Sequence, residues 1–123
     1  MTLETIKELL NAEVLTEYSG QNIDIKFAKA SDLMSDVLAF SQPFSEPNTI
    51  LITGLTNKQV VRTCEIAGVC AIIFVRGKNP PTETIELAQK CEIPLLLTKL
   101  KMFVACGILY SHGIRAASTQ KDR

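Results

Sequence analysis

The sequence predicts one α/β domain built on a mostly parallel sheet with helices on both faces. Three observations carry that prediction. β-rich runs recur at Thr49–Thr53, Ala71–Val75 and Ile93–Thr98. Single helical segments separate them, and a strand–helix–strand rhythm implies crossover connections between parallel neighbours. The run Ala71-Ile72-Ile73-Phe74-Val75 is apolar at every position, as expected of a strand covered on both faces.

The elements follow in order. Residues 2–11 place Leu3, Ile6 and Leu10 at helical spacing, with Lys7, Glu8 and Asn11 elsewhere on the wheel, which predicts a helix covering one face. Val14-Leu15-Thr16 reads as a short strand, and Tyr18-Ser19-Gly20-Gln21-Asn22 as a turn-rich connection. Ile23-Asp24-Ile25-Lys26-Phe27 alternates strictly, the pattern of a half-exposed strand. Asp32 to Phe40 reads as a helix capped by Ser31. The Thr49–Thr53 strand ends at Gly54. Asn57 to Ala67 is a helix, opened by the capping-box pattern Thr56-x-x-Gln59 and closed by Gly68. Pro80-Pro81 precedes a helix over Thr82–Lys90 whose apolar positions are Ile85, Leu87 and Ala88. Ile93–Thr98 is the last strand and Met102–Ser111 the last helix. The domain is expected to span residues 1–115, with 116–123 a frayed polar tail.

Composition narrows the function classes. The length of 123 residues suits a single domain, large enough to bury roughly two-thirds of its unfolded surface. Thirteen Lys and Arg balance thirteen Asp and Glu, so no global charge draws nucleic acid or an anionic membrane. No apolar run approaches the roughly 20 residues that span a bilayer. The first eight residues are amphipathic rather than basic and then apolar, unlike a signal peptide. A cytoplasmic location is expected. Cys64, Cys70, Cys91 and Cys106 lack the two-residue spacing of zinc and redox motifs. They read as small apolar side chains in a reducing compartment, with a disulfide or metal site as the alternative.

Ligands of open parallel sheets gather at the carboxyl ends of the strands. That edge is expected to hold Lys29, Ala30, Ser31 and Asp32, then Thr53, Gly54, Leu55, Thr56 and Asn57. Arg76, Gly77, Lys78 and Asn79 follow, then Thr98, Lys99, Leu100 and Lys101. Arg76, Lys78, Lys99 and Lys101 beside glycines and exposed helix amides favour a phosphate, nucleotide or carboxylate. The candidate ligand-binding residues are Ser31, Asp32, Thr53, Gly54, Thr56, Asn57, Arg76, Gly77, Lys78 and Thr98. The plainer alternative is structural: Thr56 and Asn79 as caps, Gly54 and Gly77 as turns, and solvated loop lysines. Asp32 and Asp36 lie four apart, where like charges on a helix repel. They read either as a carboxylate pair for a cation or basic partner, or as an exposed first turn. Catalytic constellations are missing. His112 is the only histidine. Around Gly77-Lys78, Ile72 stands where a P-loop needs its first glycine and Asn79 where it needs a hydroxyl. No catalytic residue, metal ligand or cofactor is assigned from the residues.

Three stretches, Ser31 to Ala39, Leu51 to Asn57 and Ile72 to Lys78, resemble stand-alone DRTGG-domain proteins. Ile93 to Thr98, Met102-Phe103 and Ala105-Cys106-Gly107 fit the same pattern, so the likeness covers about residues 1–115. The resemblance implies an α/β domain related to the N-terminal domain of HPr kinase/phosphorylase. Similar domains accompany CBS domains in regulated pyrophosphatases and occur in some phosphotransacetylases, as regulatory or dimer-forming modules beside separate catalytic domains. It further implies a homodimer and a partner metabolic or redox enzyme of the hydrogenase-associated kind, since stand-alone relatives are often encoded beside iron-hydrogenase-type genes; the small anionic ligand is the expectation of the carboxyl edge. A structural adaptor with no small-molecule ligand is the alternative, as is a protein labelled HPr serine kinase-like by similarity without kinase activity. The sequence departs from the name-giving motif. Leu55-Thr56-Asn57 stands at its first position, Val75-Arg76-Gly77 stands at its second, and only the final glycine is clearly kept.

Overall fold

A computed structural model describes residues 1–16, 23–41 and 48–117. In chain order the elements are α1 (Leu3–Leu9), β1 (Glu13–Val14), β2 (Phe27–Ala30), α2 (Met34–Ser41), β3 (Thr49–Thr53) and α3 (Lys58–Ala67). β4 (Ala71–Phe74), α4 (Thr82–Lys90), β5 (Leu95–Leu97), α5 (Met102–Ser111) and β6 (Arg115–Ala116) complete the domain. The six strands form one sheet in the order β1-β5-β4-β3-β2-β6. β2 to β6 run parallel to their neighbours, and β1 joins the β5 edge antiparallel.

Alternation along the strands assigns each layer its own core. Ile50, Ile52, Ala71, Ile73, Val75 and Leu96 point to one face, where Leu3, Ile6 and Leu10 of α1 and Ala105 and Leu109 of α5 cover them. Leu51, Ile72, Phe74, Leu95 and Leu97 point to the other, under Val37 of α2, Val60, Val61, Cys64 and Ala67 of α3, and Ala88 of α4. Every residue of β3, β4 and β5 is buried. The α/β architecture expected from the sequence is the one observed.

Several local expectations differ from the structure. The alternating run Ile23–Phe27 is not the second strand, because the backbone of Ile25 is already engaged. Its N–H donates to the Met1 carbonyl at 2.6 Å, and its carbonyl accepts from the N-terminal ammonium at 3.2 Å. Ile25 still fills the core, and the sheet begins at Phe27, paired with Thr49 and Arg115. Ser31 does not cap a helix at Asp32. Its hydroxyl exchanges hydrogen bonds with the N–H and carbonyl of Leu33 in a local turn, and α2 starts only at Met34. Asp32 thus lies outside the helix, and the expected pairing with Asp36 on one helical face does not form. Asn57, not Thr56, is the N-cap of α3, with no side-chain cap bond. Pro81, not Asn79, occupies that place in α4. Gly68 closes α3 in the left-handed conformation as expected, at φ 78°. Ala116 belongs to β6, and the Ala117 N–H donates to Ala28. The Tyr18–Asn22 connection and residues 118–123 lie outside the described residues.

Cys64 is fully buried, while Cys70, Cys91 and Cys106 are half-buried, all as free thiols. Burial pushes the Cys64 thiol up to about 12 and Cys70 up to about 11. A thiol held neutral in the fold but ionisable when unfolded near its ordinary value adds stability that is fully present below pH ~8.5. That contribution disappears as pH climbs towards the raised values. Urea unfolding is therefore expected to show stability falling between about pH 9 and 12, with a smaller fall in Cys64→Ala than in the unsubstituted chain. Phe74 is fully buried on the α3/α4 side. Phe74→Ala should lower unfolding free energy by about 3–5 kcal/mol. A loss under about 1 kcal/mol would contradict its central place in that layer.

Candidate functional site

The carboxyl ends of β2, β3, β4 and β5 lead into loops that share one edge of the sheet. At its centre is the Gly54 peptide. One Asp32 carboxylate oxygen accepts from the Gly54 N–H at 2.7 Å and from the Thr53 hydroxyl at 2.9 Å. From the other side, an Arg76 Nη donates to the Gly54 carbonyl at 3.4 Å. A Cβ on Gly54 would lie 2.4 Å from that nitrogen. Glycine is what lets the guanidinium lie across the end of β3. Asp32 and Arg76 thus grip the two peptide groups that flank the Gly54 Cα, without forming an ion pair with each other.

The topology distinguishes the next gap from the rest. α3 and α4, following β3 and β4, cover one face, while α5, following β5, covers the opposite face. The connections therefore diverge between β4 and β5, the arrangement at which open α/β sheets form their binding crevice. Two basic loops meet there, Arg76-Gly77-Lys78 and Lys99-Leu100-Lys101. Arg76 and Gly77 are both left-handed, at φ 68° and 65°. That conformation costs a side-chain-bearing residue about 1–2 kcal/mol. Two bonds hold it: Arg76 N–H to Leu100 O and Gly77 N–H to Thr98 O, both 2.8 Å. Gly77 packs against Lys99, whose Cγ would be 3.4 Å from an added Cβ.

Arg76, Lys78, Lys99 and Lys101 are exposed. Among the described residues the ion pairs are Met1–Asp24, Lys7–Glu4 and Lys26–Asp24, so none of the four edge cations is paired. The first turns of α3, α4 and α5 open towards the same edge without side-chain caps. Their amides and the four cations give the edge a positive potential that an anion complements.

The other sequence candidates divide by role. Ser31, Asp32, Thr53, Gly54, Arg76, Gly77 and Thr98 come together along the edge. Thr53 and Thr98 are buried, and their hydroxyls serve the fold. Thr53 bonds Asp32 and receives the Leu55 N–H. Thr98 donates to Leu10 O at 2.7 Å and receives the Leu100 N–H. Thr56 is buried, and its carbonyl accepts the Thr84 hydroxyl. Asn57 and Lys78 are exposed in the adjoining loops. Lys99 and Lys101 are on the edge expected from the sequence but not among its candidate ligand-binding residues. The signal that would have included them is the change of helix layer after β5. His112 caps the far end of α5, with its ring Nδ1 2.8 Å from Ile108 O. At 1.5 Å per residue, that helix carries it about 15 Å from the basic edge. No group of three or more metal-ligating side chains occurs among the described residues. None of the described helices is long and apolar enough to cross a membrane.

No family model and no curated protein matches the sequence. Among solved structures, the fold matches the CBS and DRTGG domains of the regulatory region of Clostridium perfringens pyrophosphatase, in complex with its activator diadenosine tetraphosphate. The TM-score is 0.71 at 22% identity, over 88% of this chain and 45% of that one. The chain is DRTGG-like in fold. It spans less than half the length of the pyrophosphatase fragment, and that neighbour belongs to a regulatory region rather than a catalytic one.

The Gly54 grip predicts two unequal substitutions. Asp32→Ala removes the acceptor of two part-buried donors and is expected to cost about 1–2 kcal/mol. Gly54→Ala need only displace the end of a flexible arginine, and should cost less than about 1 kcal/mol. Urea denaturation of both variants checks the order, and the reverse order would contradict the described geometry.

Proposed function

We propose that this domain is a non-catalytic regulatory module that senses a small phosphorylated anion of the nucleotide class. In this reading it acts in the cytoplasm, paired with a second copy, alongside a partner metabolic or redox enzyme. The observation that carries the ligand reading is the meeting of two basic loops at the β4/β5 divergence, with four exposed cations that form no ion pair among the described residues. Arg76 offers a planar two-pronged donor for phosphate, while Lys78, Lys99 and Lys101 add point charges. The fold neighbour's nucleotide activator and regulatory setting support the same reading. The missing P-loop glycine and hydroxyl leave no phosphate cradle of the kind phosphoryl transfer uses, which supports a sensor over a kinase.

One observation favours a second reading, a structural adaptor with no small ligand. The Arg76 and Gly77 amides, which left-handed geometry could turn towards an anion, are already bonded to Leu100 and Thr98. An anion must then be held by side chains and the uncapped first turns of the helices, and the two readings part on whether those suffice. Titration calorimetry against adenine nucleotides and dinucleoside polyphosphates separates them. Millimolar or tighter binding is expected, reduced at least tenfold in the Arg76→Ala/Lys78→Ala double variant. Its melting temperature should be nearly unchanged, because exposed loop charges contribute little to stability. No binding by the unsubstituted chain at millimolar ligand would leave the adaptor reading in place.

A further inference from the structure

Helix α5 is apolar on the side that meets the core and also on the side that does not. Ala105 and Leu109 are buried beneath it. On the outer side Phe103 is 89% exposed, Tyr110 64% and Val104 46%. A helix apolar all round is normally covered all round. Beside α5, over β2 and β6, runs an open groove of about 360 Å³ with Ala28, Ala30, Ile52 and Ala116 among its lining residues and Phe103 and Tyr110 flanking it.

The stripe along the groove is Phe103, Cys106, Gly107 and Tyr110, at helical positions i, i+3, i+4 and i+7. It reads ring, small, small, ring in either direction. An antiparallel copy laid over it sets Phe103 against the second copy's Tyr110, twice, and small residues against small ones at the centre. That self-complementarity is what a twofold interface requires. The area is sufficient to seed one. At roughly 200 Å² per aromatic side chain, the exposed parts of the two rings leave about 300 Å² per protomer. Two copies then bring about half of the ~1,200 Å² at which specific interfaces begin, before Val104, the groove floor and the rim are counted.

The geometry points to the outer face of α5 as the surface on which this domain pairs with a second copy of itself, the twofold axis passing between Cys106 and Gly107. This names the surface for the pairing included in the reading above and is independent of the anion site. Sedimentation velocity at about 10 μM, with bismaleimide cross-linking, tests it. The expected result is a dimer, cross-linked in the unsubstituted chain and not in Cys106→Ser. Phe103→Glu, at an exposed position, should sediment as a monomer with an unchanged circular dichroism spectrum and melting temperature. Ile66→Glu, at an exposed position on α3, should remain a dimer. A Phe103→Glu chain that stays dimeric, or a cross-link that persists without Cys106, overturns the assignment to α5 while leaving pairing itself standing. A monomeric unsubstituted chain overturns both.

Discussion

Strands β3 and β4 are buried along their whole length, and only the terminal Thr49 and Thr53 of β3 are polar, so each needs a helical layer on both sides. α2, α3 and α4 follow successive strands and cover one face. The other face would be left to α1 alone if α5 did not cross to it. That requirement makes the chain change layers after β5, and the change opens a gap between the ends of β4 and β5. The same crossing delivers the chain to the far edge of the sheet, where β6 pairs with β2. Hydrophobic cover thus decides where the basic loops meet.

The edge loops show how the fold maintains this gap. Asp32 and Arg76 bind the N–H and the carbonyl of Gly54, which ties the β2, β3 and β4 loops together. The Arg76 and Gly77 amides tie β4's loop to β5's. The left-handed Arg76 is the costly element, and the two cross-loop bonds offset the cost. What remains outward are side-chain charges and the first turns of three helices, whose potential an anion complements.

Much of this was legible in the sequence. The β-rich run Thr49–Thr53 announced β3, the uninterrupted apolar run from Ala71 announced β4, and Gly68 announced the end of α3. The misreadings share a cause. Ile23–Phe27 has a strand's alternation, but pairing with Met1, twenty-four residues away, takes the Ile25 backbone out of the sheet. Ser31-Asp32 has the composition of a helix start, yet Asp32 reaches Gly54 instead of an amide of its own segment. Local pattern shows which conformations a segment tolerates, and distant partners chose among them. The layer change that places Lys99 and Lys101 beside Arg76 is likewise a property of the whole sheet, invisible in any window of residues.

The central claim is that an anion binds where the β4 and β5 loops meet. A ¹⁵N-resolved NMR titration of the intact chain with ATP, taken to millimolar concentration, tests it most directly. The account predicts saturable shifts concentrated at Arg76–Asn79 and Thr98–Met102, with smaller ones at Asp32 and Gly54. Resonances that do not move, or shifts confined to the opposite edge around Gly68 and Glu92, would contradict it.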